Sequence, residues 1–193
     1  MPKIDFEKER KSLDREITYF HFGRAQRKIN KCIHLARKDK DKFFLYYFQA
    51  QDHILNERFS KGLKYIEKAL LLRADDGCSY NDKALCYAEL GRNKDALSYF
   101  NKGLRKDRNC ACLFHNKGWL LNLLGEHKKA IVCFYKALEL NDRLPEALYS
   151  AADSYLKLGQ NKKAAYYFNK ALKQIKGKSS LVRRNILNRL KSL

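Results

Sequence analysis

The sequence predicts an all-α solenoid of stacked helix–turn–helix units with capping helices at its ends, and three observations predict it. A pattern recurs at a fixed offset of 34 residues, each copy places small residues where two helices have to approach, and a Leu-Gly turn separates two apolar stretches. In residues 145–178 the pattern is Ala152, Gly159, Ala164, Phe168 and Ala171. One period earlier it reads Gly118, Gly125, Ala130, Phe134 and Ala137, and before that Ala84, Gly91, Ala96, Phe100 and Gly103. A looser copy over 43–76 keeps Ala50 and Ala69 but places Glu57, Gly62 and Ile66 at the other positions. The four copies tile 43–178 without insertion or deletion, as units 43–76, 77–110, 111–144 and 145–178.

The physical reading of one copy is an αα-hairpin. Ala50, Ala84, Gly118 and Ala152 on the first stretch, and Gly62, Ala96, Ala130 and Ala164 on the second, let two helices come close. In LGRN, LGEH and LGQN the glycine supplies the positive φ that ends a helix. One hairpin cannot bury both of its apolar faces, so neighbours stack and stability comes mainly from nearest-neighbour contacts.

These copies resemble the tetratricopeptide repeat, whose unit has this period and the pattern W-x2-L-G-x2-Y, then A-x3-F, then A and P. The resemblance covers about seven-tenths of the chain, with Tyr46, Tyr80, Phe114 and Leu148 at the Trp position and His53, Tyr87, Leu121 and Tyr155 at the Tyr position. Ala74, Arg108, Asp142 and Lys176 stand where the closing Pro belongs. The resemblance implies a right-handed α-α superhelix.

The flanks depart from the repeat. In residues 1–42, Phe6, Leu13, Ile17 and Phe20 have helical spacing, Gly23 breaks the run, and Ala25, Ile29, Cys32, Ile33 and Ala36 begin a second stripe. A helix pair is expected there, as a divergent fifth unit or an N-terminal cap, ending at the charged turn 38–42. Residues 179–193 offer Ser179 or Ser180 as a helix cap and a stripe of Val182, Ile186, Leu190 and Leu193. That helix is expected to cover the last unit rather than to bind a membrane surface or a partner.

Bulk properties narrow the function classes. With 193 residues, 45% hydrophobic, the chain can bury a continuous core. Its apolar runs fall far short of the roughly 20 residues that span a bilayer, so no membrane insertion is expected. The N-terminus lacks the features of a secretory signal, and a cytoplasmic location is the expectation. The six cysteines, without a C-x-x-C pair, read as reduced thiols, against a metal role for Cys110, Cys112 and His115. No metal and no cofactor is expected.

The net charge of +20 is spread along the chain, with a surplus of 6 over 1–42, 10 over 43–178 and 4 over 179–193. Lys68, Lys102, Lys136 and Lys170 form one periodic row, and Lys94, Lys128 and Lys162 a second. Such rows read first as a solvated face; together they also offer a surface to an anionic partner, which keeps RNA association as the alternative function.

The resemblance places function in the concave surface lined by the first helix of each unit, where a partner peptide or helix lies. By analogy the residues facing it are Phe44, Tyr47, Gln51 and Leu55; Cys78, Asn81, Leu85 and Glu89; Cys112, His115, Trp119 and Leu123; Glu146, Tyr149, Asp153 and Lys157. Tyr47, Trp119 and Tyr149 are the expected anchors, with Asn81, His115 and Asp153 as polar guides; packing between first helices is the other reading of Trp119. The Lys/Asn/Arg clamp that some members close on a peptide C-terminus is missing, since Leu85, Glu146 and Ser150 occupy its places in one register and Tyr47, Gln51, Asp82 and Cys112 in another. No phosphate loop, nucleophile elbow or H-E-x-x-H motif is present, and the five histidines are scattered. A non-enzymatic protein-interaction scaffold or adaptor follows as the expectation.

Overall fold

The computed structural model describes residues 4–18, 21–175 and 181–192. Among them are eleven helices: α1 (Phe6–Thr18), α2 (Phe22–Lys38), α3 (Lys42–Leu55), α4 (Phe59–Leu72), α5 (Gly77–Glu89), α6 (Asn93–Lys106), α7 (Ala111–Leu123), α8 (His127–Leu140), α9 (Pro145–Lys157), α10 (Asn161–Gln174) and α11 (Leu181–Lys191). The chain divides into two compact units, Met1–Tyr99 and Phe100–Leu193, with the boundary inside α6.

The turns within hairpins follow one rule. Gly91, Gly125 and Gly159 have φ of 74°, 79° and 70°. The next amide reaches back five residues, from Arg92 to the Tyr87 carbonyl, from Glu126 to Leu121 and from Gln160 to Tyr155, at 2.8–2.9 Å. This left-handed residue with a 6→1 bond satisfies carbonyls that a helix end leaves open. The looser copy does the same without glycine: Glu57 takes φ 56°, and Arg58 N–H bonds the His53 carbonyl at 2.8 Å. The missing closing Pro costs no regularity, since α4, α6 and α8 end at Leu72, Lys106 and Leu140, two residues before each expected position.

In unit 1, α1 packs on α2, α2 on α3, α3 on α4 and α4 on α5. Ala25, Ile29, Cys32 and Ala36 of α2 are buried in one cluster with Phe43, Phe44, Tyr47 and Phe48 of α3. Asp41 and Asp76 start α3 and α5 by accepting hydrogen bonds from the amides of Phe44 and Ser79. Gly23 does not break the chain between helices: α2 already begins at Phe22, so Gly23 lies in its first turn, where amides have no intrahelical partner to lose.

In unit 2, α7 pairs with α8 and α9 with α10, while α8 packs on α9. Phe100, Phe134 and Phe168, one period apart, are fully buried, each worth about 1.5–3 kcal/mol of transfer energy. Gly118 is required by that row, because a Cβ there would stand 2.7 Å from Cε1 of Phe134. Ile186 of α11 is fully buried against the core of α9 and α10, and Leu190 is half-buried beside it. Ser179, Ser180, Leu193 and the side chain of Val182 lie outside the described residues.

A second repeat emerges only in three dimensions. His53 stacks on Tyr65, Tyr87 on Tyr99 and Tyr155 on Tyr167, with centroids 5.1–5.6 Å apart. Each pair ties the end of a first helix to its hairpin partner, and in the third unit Leu121 and Cys133 take the two places.

Candidate functional site

The first-helix positions singled out by sequence fall into two sets, one in each unit. In unit 1 the set is covered by α1. Phe6 stacks on Phe44 at 4.8 Å between centroids, and the Arg10 guanidinium lies 4.2 Å from the Tyr47 ring centre. Arg10 continues past that ring to Asp76, meeting both carboxylate oxygens at 2.9 Å. Glu7 pairs with Arg73 at 3.3 Å. Leu13 is fully buried in the same cluster, against which Leu55 and Cys78 also pack. In consequence Phe44 and Tyr47 are only 5% and 3% exposed, while Gln51, 5% exposed, donates to Asp82. Asn81 is buried as well, and Leu85 is half-buried.

The electrostatics of this contact are mixed. Burial works to raise the Asp76 carboxyl, but the hydrogen bonds from Arg10 and Ser79 hold it below its ordinary value. Asp82 accepts hydrogen bonds from Gln51 and Asn81, yet burial, and next Asp14, push its carboxyl well above the ordinary range. Asp14 keeps an exposed side, but burial on its other side, and a lesser contribution from Cys78, raise it to about 6 against the pull of Arg10. The buried guanidinium therefore has a well-paired carboxylate at one end and two strained ones nearby, and its Nε has no hydrogen-bond partner.

Arg10, Asp14 and Asp82 were not expected among site residues. A signal for Arg10 exists in the sequence: it sits inside the stripe Phe6, Arg10, Leu13 and Ile17, at spacings of four, three and four. A charge within an apolar stripe has to be paired when the stripe is buried. Its partner, 66 residues away, carries no such signal.

In unit 2 the set keeps solvent access. Trp119 and Tyr149 are half-buried, on α7 and α9. His115 lies one turn before Trp119, with Nε2 3.3 Å from Ser150 Oγ and Nδ1 3.2 Å from Asn116 Oδ1. Burial lowers its pKa to about 4, which keeps the ring neutral near pH 7. Asp153 is held by Asn122 at 3.0 Å, Lys157 at 3.3 Å and Arg189 of α11 at 3.6 Å. Asn122 also accepts from Ser154 and lies 2.6 Å from His127 Nδ1, so a polar network fixes this part of α9 against α7.

Cys110 and Cys112 bring their sulfurs to 2.8 Å, while His115 turns to Ser150 and Asn116. Among the described residues no three His, Cys, Asp or Glu side chains come together as a metal site. Both lysine rows are exposed. Among those residues, too, no helix is long and apolar enough to cross a membrane.

Models of the tetratricopeptide repeat family match residues 47–109, 111–143 and 145–177, well over half of the chain. No curated protein matches the sequence. Among solved structures, the thermophilic tetratricopeptide repeat protein TTC0263 from Thermus thermophilus is similar with a TM-score of 0.73 at 22% identity, over 95% of this chain and 97% of that one. YrrB, described as a tetratricopeptide repeat protein with an unusual peptide-binding site, gives 0.61 at 19% identity, over 94% and 89%. The MamA protein gives 0.60 at 18% identity, over 84% and 87%. At these identities the likeness is one of fold, an all-helical solenoid. The chain belongs to the tetratricopeptide repeat family.

Proposed function

We propose that the chain is a non-enzymatic protein-interaction module, a scaffold or adaptor of the cytoplasm, that takes a peptide or helix on the first-helix face of unit 2. The observation that carries this reading is Trp119: the single tryptophan keeps an accessible face on α7, one turn from a neutral His115. Large, partly polar side chains in such positions dominate interface energetics. Tyr149 on α9 is a second anchor, and the Asn122–Asp153 network holds the two helices in register. Family membership supports the class of function. YrrB, which is similar in fold, is described as having a peptide-binding site, in keeping with it. In unit 1, Phe44, Tyr47, Gln51, Asn81 and Leu85 hold the corresponding first-helix positions, and α1 packs over Phe44 and Tyr47.

The test is a tagged pull-down from cytosol, with and without nuclease and at two salt concentrations, using the native chain and Trp119→Ala. A nuclease-resistant protein partner lost with Trp119→Ala, at an unchanged melting temperature, is the expected result. Recovery of nucleic acid alone, falling away as salt rises, would instead assign binding to the exposed lysine rows.

A further inference from the structure

We infer that α1 is a displaceable internal ligand of the unit 1 groove, and that the partner which replaces it is an amphipathic helix presenting an aromatic residue, an arginine four positions later and a leucine three beyond that. The inference extends the groove reading above to a second surface and names the chemistry recognised there.

Three observations carry it. First, α1 lies on the face that a ligand of this repeat would use: Phe6 on Phe44, Arg10 on Tyr47, Leu13 in the same buried cluster. Second, its contacts are those of a bound helix reading a site. The Arg10 guanidinium, 3% exposed, threads between the Tyr47 ring and Asp76, and that carboxylate also caps α5, so its orientation is set before α1 arrives. A preset carboxylate behind an aromatic face selects Arg over Lys, because only the planar fork stacks and pairs in two bonds at once.

Third, the docked helix is frustrated. Asp82 is raised well above its ordinary value, first by burial and next by the charge of Asp14 on α1. The Arg10 Nε is buried without a partner. α1 also packs on α2, where Glu9 meets Lys28 at 2.7 Å, while its link to Arg73 through Glu7 is an exposed pair, and such pairs hold weakly. A helix with a few strong anchors and unfavourable charges beside them opens at lower cost than the stacked hairpins beneath it. A competitor that keeps Phe, Arg and Leu but lacks a carboxylate at the Asp14 position binds the same site without the repulsion.

The experiment uses the full chain. Hydrogen exchange on the native protein is expected to show α1 amides exchanging at least tenfold faster than those at the centres of α3 and α5; equal protection would make α1 an integral part of the fold and overturn the inference. In parallel, a fluorescein-labelled peptide of residues 4–18 is titrated into the native chain and into Arg10→Ala. Binding at least tenfold tighter to Arg10→Ala, lost when the peptide itself carries Arg10→Ala and strengthened by Asp14→Asn in the peptide, is the expected pattern. No binding to Arg10→Ala with its α3–α5 helices still protected would refute it. The exchange measurement decides the matter should that variant fail to fold. Trp119→Ala leaves this binding unchanged, so failure here is separable from failure of the unit 2 site.

Discussion

Arg10 and Asp76 meet through two parallel hydrogen bonds of 2.9 Å across 66 residues of sequence, and the same carboxylate caps α5 through the Ser79 amide at 2.8 Å. One side chain thus serves a local and a long-range role. Stranding a buried cation typically costs about 3–5 kcal/mol, whereas losing a helix cap costs about 1 kcal/mol. Because α1 can leave the groove and rehydrate Arg10, Asp76→Ala is expected to lower global stability by only about 1 kcal/mol while abolishing protection of α1. Urea unfolding combined with hydrogen exchange distinguishes this from the larger loss.

Acidification should strengthen the α1 contact. The Asp14 carboxyl is raised to about 6, above its ordinary 3.8, so the docked state binds a proton that the open state releases. Docking therefore gains as pH falls through about 6 toward 4. Arg10, Asp76, Asp82, Tyr47 and Cys78 are the charged and titratable groups around it. Protection of α1 at pH 5 and pH 7 measures the effect, and Asp14→Asn should raise protection at pH 7 and flatten the dependence.

Unit 2 should respond with the opposite sign. His115 is lowered to about 4 by burial, so its folded form resists the proton that the unfolded chain takes up near 6.5. Its stability is complete above that value and declines as pH falls from 6.5 toward 4. Exchange at the centres of α7 and α9 should quicken over this range, and His115→Gln should remove most of the change.

Gly118→Ala is expected to destabilise by about 1–3 kcal/mol, as overpacking of a close-packed core does. The added Cβ meets Phe134 at 2.7 and 2.9 Å and the Ala130 carbonyl at 3.1 Å. Alanine stands at the same repeat position in Ala50, Ala84 and Ala152, so the cost belongs to this pair of helices. A shift of the thermal midpoint in Gly118→Ala, relieved by a smaller residue at 134, checks the cause.

Glu57→Gly should stabilise. Glu57 holds φ 56°, a left-handed conformation that costs a residue with a Cβ about 1–2 kcal/mol. The expected gain is about 1 kcal/mol, since glycine gives back part of it as chain entropy. Thermal melting of the single variant is sufficient to test it.

Much of this protein was determined by its sequence alone. The 34-residue period, the small residues that let helices approach and the Leu-Gly turns are local or nearest-neighbour features, and a solenoid is built from such terms, so hairpins, turns and the buried Phe100, Phe134 and Phe168 row follow from pattern. The amphipathic stripe of residues 6–17 likewise foretold a helix. Where that helix lies was decided only in three dimensions. Arg10 has no local partner that satisfies both its charge and its burial, and the carboxylate that does is Asp76, two hairpins further along, which in sequence reads as an ordinary cap. The same holds for Tyr47 and Trp119. Sequence places both at first-helix positions, but covering by α1 buries one, while the other stays half-accessible. Periodicity specifies which face a residue occupies; what lies upon that face is set by contacts of long sequence separation, which no repeat pattern encodes.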